Sequence, residues 1–181
     1  MPWPNALSGV QVKINGEACP LYYAADGQIN FLVPAGLDGS VADMVITTPL
    51  GGSATVRVPV LTVSPGLFYN VTTGEAAVLA AGTGQLTSVR PAAAGEYLEI
   101  YATGLGALQP SSTAGLQETV RKPVITLNGV PAEVSFSGLA PGVPGLYQID
   151  ARVPAGAAKG VVKLRIAVDG VAGNQADVTL R

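Results

Sequence analysis

An internal repeat constrains this chain more than any other feature of its sequence. Val10-Gln-Val-Lys-Ile-Asn-Gly-Glu-Ala-Cys-Pro-Leu returns as Val124-Ile-Thr-Leu-Asn-Gly-Val-Pro-Ala-Glu-Val, and Gly27-Gln-Ile-Asn-Phe-Leu-Val-Pro-Ala-Gly returns as Leu146-Tyr-Gln-Ile-Asp-Ala-Arg-Val-Pro-Ala-Gly. The turn Asn15-Gly16 thus has its counterpart at Asn128-Gly129, and Val33-Pro34 has its counterpart at Val153-Pro154. A repeat at this spacing predicts two copies of one small domain. The architecture is therefore legible, while no motif announces an activity.

Composition narrows the function classes. Gly (23) and Pro (14) punctuate the 181 residues and only 12% are charged, too apolar for disorder and too interrupted for long helices. A formal net charge of -2 and a pI near 5.0 leave no basic footprint, so nucleic acid is not an expected partner. No apolar run reaches the roughly 18 residues of a membrane helix, so membrane insertion is not expected. Histidine is absent, which removes Ser-His-Asp and Cys-His catalysis and nearly all catalytic zinc sites. No cofactor is expected. The single cysteine, Cys19, lies in the apolar stretch Ala18-Cys-Pro-Leu21 and reads as a small core residue rather than a nucleophile. The start, Met1-Pro-Trp-Pro, has neither a charged n-region nor an apolar h-region and does not read as a signal peptide. The chain is then either cytoplasmic or a piece of a longer exported one.

Period-two alternation dominates the local pattern. Val10, Val12 and Ile14 alternate with Gln11 and Lys13, and Ile29, Phe31 and Val33 alternate with Gln28, Asn30 and Leu32. The runs Ala54 to Val58 and Val162 to Val168 behave in the same way. Asn15-Gly16, Asp26-Gly27, Asp38-Gly39, Gly51-Gly52, Asn128-Gly129 and Asp169-Gly170 bound these runs and suit tight hairpins. The expectation is an all-β chain of two tandem antiparallel β-sandwiches of immunoglobulin-like type. The first spans 1–64, a linker with a short hairpin around Gly82 and Gly84 spans 65–91, and the second sandwich spans 92–181. The second copy opens with a strand from Tyr97 to Ala102 that the first lacks. Such a strand has three sources: residues 65–90, a neighbouring molecule (strand-mediated self-association), or sequence preceding residue 1.

The candidate ligand-binding residues are Tyr97, Glu99 and Tyr101. If Leu98, Ile100 and Ala102 face the core, these three share the outer face, with the tyrosines roughly 13 Å apart. Two aromatic rings flanking a carboxylate suit stacking on sugar rings; the alternative is packing between the two sandwiches or against residues 65–90. Tyr22 and Tyr23, as strand neighbours, should point to opposite faces, one into the core and the other to solvent or an interdomain surface. Trp3 either caps the open edge of the first sandwich or lies in a loose terminus.

Glycosidase chemistry needs two carboxylates roughly 5–10 Å apart. Glu96 and Glu99 fall on opposite faces, while Glu133 and Asp150 are candidate cross-strand neighbours, with Asp150 matched by Asn30 in the first copy. No dense oxygen-ligand loop suggests a designed calcium or other metal site. Lys13, Lys163 and Arg165 fall on polar strand faces, Lys122 precedes a proline and Lys159 sits in a turn, so no lysine is placed for an internal amide bond. Asn70-Val-Thr matches a glycosylation sequon, a pattern common by chance.

The segments Glu96-Tyr-Leu-Glu-Ile-Tyr-Ala-Thr-Gly-Leu-Gly, Asn128-Gly and Gly145-Leu-Tyr-Gln-Ile-Asp-Ala-Arg-Val-Pro-Ala-Gly resemble IPT/TIG-type immunoglobulin-like domains. With Asn15-Gly, Pro20-Leu-Tyr-Tyr, Gly27-Gln-Ile-Asn-Phe and Pro65-Gly-Leu-Phe, nearly the whole chain resembles an uncharacterised C-terminal domain family of large exported acidobacterial proteins. The resemblance implies an extracellular or cell-surface setting, further chain before residue 1, and no catalytic residues. The expected role is a non-catalytic structural or adhesive module, with other domains of a parent protein or a surface polysaccharide or protein as partners. Carbohydrate binding is the runner-up, and a carboxylate-dependent hydrolase the remote third class.

Overall fold

The computed structural model describes residues 3–37 and 39–181; Met1, Pro2 and Asp38, the last read above as half of an Asp-Gly turn, lie outside them. No helix occurs among the described residues, and every ladder between named strands is antiparallel. Contacts divide the chain into two compact units, Met1–Leu61 and Thr62–Arg181.

In the first unit, β1 (Gln11–Ile14) and β2 (Glu17–Ala18) form a hairpin closed by Asn15 and Gly16, both at positive φ (49° and 82°). An Asn-Gly pair of this kind closes a two-residue hairpin with the twist of its flanking strands. On its other side β1 pairs with β5 (Val41–Thr48), which carries β6 (Gly51–Gly52) and β7 (Val56–Pro59). A separate two-stranded sheet pairs β3 (Leu21–Ala25) with β4 (Gln28–Phe31). Val12, Ile14, Cys19, Leu21 and Ala42 form the buried core, with Ile29, Phe31, Met44 and Ile46 packed against it and only partly covered. Cys19 is buried as the sequence predicts, and burial pushes its thiol pKa up. The expectation for Tyr22 and Tyr23 fails. A β-bulge between Leu21 and Tyr23 breaks the alternation, and both rings are exposed. Trp3 rests on Tyr22, ring centroids 5.0 Å apart.

In the second unit, one sheet path runs β10 (Gln85–Leu86), β9 (Val78–Ala80), β11 (Tyr97–Thr103), β16 (Tyr147–Arg152), β15 (Val130–Leu139), β14 (Val124–Leu127), β17 (Gly160–Val168) and β18 (Val171–Leu180). Off this path, β8 (Gly66–Leu67) pairs with β11, and the hairpin of β12 (Leu108–Pro110) with β13 (Gln117–Thr119) joins β15. Strand β15 carries the turn of the sheet. Its first residues pair with β14 and its later ones with β16, with a bulge between Val134 and Phe136. Two isolated parallel bridges, Glu75 to Asp177 and Ala92 to Leu180, bring β18 back to the segments flanking β9 and β10. The sheet therefore curls over on itself around a core that includes Leu98, Ile100, Ile125, Leu127, Ile149 and Leu164. Each such fully buried side chain contributes about 1.5–3 kcal/mol.

Residues 65–91 are not a linker. Strand β8 and the β9–β10 hairpin pair directly with β11, and Val63 and Leu67 lie in the second core. The exit of β11 is shaped for this. A Cβ on Gly104 (φ +71°) would stand 1.9 Å from the Ser64 carbonyl oxygen, and that close approach carries the Ser64 N–H to Gly104 O bond of 2.8 Å. Asn174 completes the attachment: its Oδ1 accepts from Leu67 N–H at 2.6 Å and its Nδ2 donates to Leu67 O at 3.0 Å. The side-chain amide thus imitates a strand neighbour. Residues 65–90, so committed, do not supply the opening strand of the first unit.

Candidate functional site

Along β11, Leu98, Ile100 and Ala102 are buried, so Tyr97, Glu99 and Tyr101 share the outer face as the alternation requires. Register supplies their neighbours. Tyr97 lies opposite Arg152, Glu99 opposite Asp150 and Tyr101 opposite Gln148 on β16. One strand further, Glu133 faces Arg152, Phe136 faces Asp150 and Gly138 faces Gln148. On the other flank Leu79 lies opposite Glu99. Three strands thus present two tyrosines, a phenylalanine, three carboxylates, a carboxamide and a guanidinium on one face.

Three hydrogen bonds anchor polar groups of this face. Glu99 Oε1 accepts from Gly82 N–H at 3.0 Å, where the β9–β10 turn folds over the face. Gln148 Nε2 donates to Asp150 Oδ1 at 2.8 Å. Arg152 Nε donates to Gly95 O at 3.3 Å. Gly138 leaves room for the Phe136 ring, whose Cζ would lie 2.7 Å from a Cβ placed there.

The electrostatics follow from this crowding. Burial raises the Asp150 carboxyl pKa, its Gln148 hydrogen bond opposes that, and the neighbouring Glu99 charge raises it further. Burial also raises the Tyr101 hydroxyl pKa, with Glu99 and Asp150 adding to the effect. An open depression of about 420 Å³ adjoins one end of the face, with Gly95, Glu133, Arg152 and Pro154 in its lining.

The carboxylate pairing expected from sequence is exchanged. Glu133 stands opposite Arg152, not Asp150; the two acids directly opposite one another are Glu99 and Asp150. Only the order of strands makes them neighbours, and no local signal in the sequence encodes it. Glu96 turns away and serves the fold: Arg90 Nη1 and Nη2 donate to its two carboxylate oxygens at 3.0 and 2.7 Å, and Ala93 N–H donates to it at 2.7 Å. Lys163 is half-exposed and paired with Asp177. Asn70 of the sequon is exposed, and its Oδ1 accepts from Thr72 N–H and Thr73 N–H within its own turn. Among the described residues no cluster of three or more His, Cys, Asp or Glu is placed to hold a metal ion.

No protein-family model matches this chain, and comparisons with curated proteins and with solved structures found no match.

Proposed function

We propose that the two units are copies of one IPT/TIG-like immunoglobulin-like sandwich, of the acidobacterial-type C-terminal family that the sequence resembles. Recurring hydrogen bonds support this reading. Asn15 N–H donates to Asp43 O and Asn15 Oδ1 accepts from Asp43 N–H; Asn128 makes the same two bonds with Lys163. Gln28 donates to Asn30 as Gln148 donates to Asp150, each at 2.8 Å.

The function follows as a non-catalytic structural or adhesive module that spaces or anchors the other domains of a larger exported protein at the cell surface. The two separate apolar cores carry this reading, one in each unit, built from antiparallel strands in a chain of which only 12% is charged. Low-charge units of paired strands suit a spacer.

The mixed face around Glu99 favours a second reading, polysaccharide binding, because an exposed Tyr97 and a half-buried Tyr101, beside paired acids, an amide and a guanidinium, offer both stacking and hydroxyl recognition. Affinity electrophoresis on polysaccharide gels, comparing wild type with Tyr101→Ala, separates the two. Retardation lost in a folded variant selects carbohydrate binding; unaltered migration of both proteins on every gel selects the scaffold. Turnover that survives repurification and disappears in Glu99→Gln would instead establish the carboxylate-dependent hydrolase.

A further inference from the structure

Several turn asparagines of this chain are spent on joining strands. Asn15 and Asn128 hold the neighbouring strand through Oδ1, and Asn174 uses both ends of its carboxamide on Leu67. Asn70 differs. Its Oδ1 accepts from Thr72 N–H at 2.9 Å and from Thr73 N–H at 3.2 Å, inside its own turn. Its Nδ2 makes no hydrogen bond among the described residues, and neither does the Thr72 hydroxyl; it is the Thr73 hydroxyl that accepts from Glu75 N–H. Alone among the asparagines of the chain, Asn70 begins the triplet Asn-X-Thr. The two side-chain groups that define the triplet are thus the two that the turn leaves unused.

The base of this turn is fixed and its tip is bare. Tyr69 bridges Ala76. Asn70 N–H donates to Glu75 O, Gly74 N–H to Asn70 O, and Asp177 N–H on β18 to Gly74 O, each at 2.8 Å. Beyond these bonds Asn70, Val71, Thr72 and Thr73 are all exposed, Val71 at 84%. Phe68 and Tyr69, which lead into the turn, are each 45% exposed. Phe68 is held in the ladder by Tyr101 O and Ala77 N–H, so the period of two puts it on the same side as Asn70. An exposed carboxamide is therefore flanked by apolar side chains that the fold leaves uncovered, and such a patch marks an interaction site.

We propose that Asn70 is a covalent glycosylation site, its Nδ2 accepting a sugar activated as a glycosyl phosphate, with Phe68 as the apolar bed for the first sugar ring. The Thr72 hydroxyl is the group a transferase reads beside the acceptor nitrogen. In the transfer, Nδ2 attacks the anomeric carbon of the donor. The N–C bond forms, the C–O bond to the phosphate breaks, and the phosphate leaves with that electron pair. One Nδ2 proton passes to a base of the transferase, and nothing is oxidised or reduced. The two N–H groups on Oδ1 hold the carboxamide in place without engaging the nitrogen that reacts. The attached glycan, bulky and hydrophilic, then shields Phe68 and Val71 from water. The donor is either a lipid-linked glycosyl diphosphate used outside the membrane or a nucleotide sugar used in the cytoplasm; both present the same reacting carbon.

The test is the mass of the peptide carrying Asn70, taken from the protein purified separately from the cytoplasmic and the exported fractions of cells that produce it. That peptide should carry at least one sugar, placed on Asn70 by fragmentation. The sugar should be absent in Asn70→Gln and Thr72→Val, and its occupancy should fall about twofold in Phe68→Ala. Thr72→Val keeps both N–H donors to Asn70 Oδ1, so its loss of sugar reads recognition rather than folding. Modified chain in the exported fraction alone selects the lipid-linked donor; modified chain already in the cytoplasm selects the nucleotide sugar. Unmodified Asn70 in every fraction overturns the proposal, as does a sugar that Thr72→Val leaves in place. Unchanged occupancy in Phe68→Ala overturns the role given to that ring. The fraction in which the chain is found bears separately on the reading of an exported module.

Discussion

Lys163 Nζ lies 2.5 Å from Asp177 Oδ1, the two residues standing directly opposite on β17 and β18. In the first unit Asp43 and Arg57 stand directly opposite on β5 and β7, 4.0 Å apart, with the signs exchanged. Opposite charges thus face one another across both strand pairs, with the polarity reversed. Lys163→Asp should therefore cost about 1 kcal/mol in urea denaturation, and adding Asp177→Lys should recover most of it. Equal losses in the single and double variants would show that the pair contributes nothing.

Glu96 sets an acid limit on stability. The Arg90 hydrogen bonds, then the Ala93 N–H, hold its pKa at about 2, against an ordinary value of 4.5. A carboxyl depressed on folding contributes stability that is complete above the unfolded pKa and lost as pH falls through the folded one. The loss therefore falls between about 4.5 and 2. Thermal unfolding of Glu96→Gln should be less stable than wild type at pH 7, and the difference should close toward pH 2.

Asp150 behaves in the opposite sense. Its pKa is raised by burial and by Glu99, so its ionised form destabilises the fold as pH rises past its ordinary value. Asp150→Asn, the residue already present at Asn30, should raise stability at pH 7 by about 0.5 kcal/mol, with the gain fading in acid. A loss of stability at pH 7 would mean that the carboxylate makes an interaction outweighing its repulsion from Glu99.

Glycine positions should separate by what surrounds them. Gly104→Ala meets the Ser64 carbonyl at 1.9 Å as well as a positive φ, and should cost about 3 kcal/mol. At Gly129→Ala the φ is also positive but nothing lies within 4 Å, so about 1 kcal/mol is expected. Denaturation midpoints of the two variants check the ranking.

The strands and their turns were legible in the sequence because their signals are local. Alternation assigns Val162, Leu164, Ile166 and Val168 to the core, where all four lie. Asn15, Asn128 and Asp169 take up positive φ before their glycines, as two-residue hairpins require. The common outer face of Tyr97, Glu99 and Tyr101 followed from the same period of two. Tertiary structure alone decided which strands became neighbours. It built residues 65–91 into the second sheet, set Glu99 opposite Asp150 rather than Glu133 opposite Asp150, and used a bulge to bring both Tyr22 and Tyr23 to the surface. The physical reason is the reach of each interaction: side-chain alternation and turn preference act within a few residues, whereas strand order and register are chosen by packing between segments far apart in the chain.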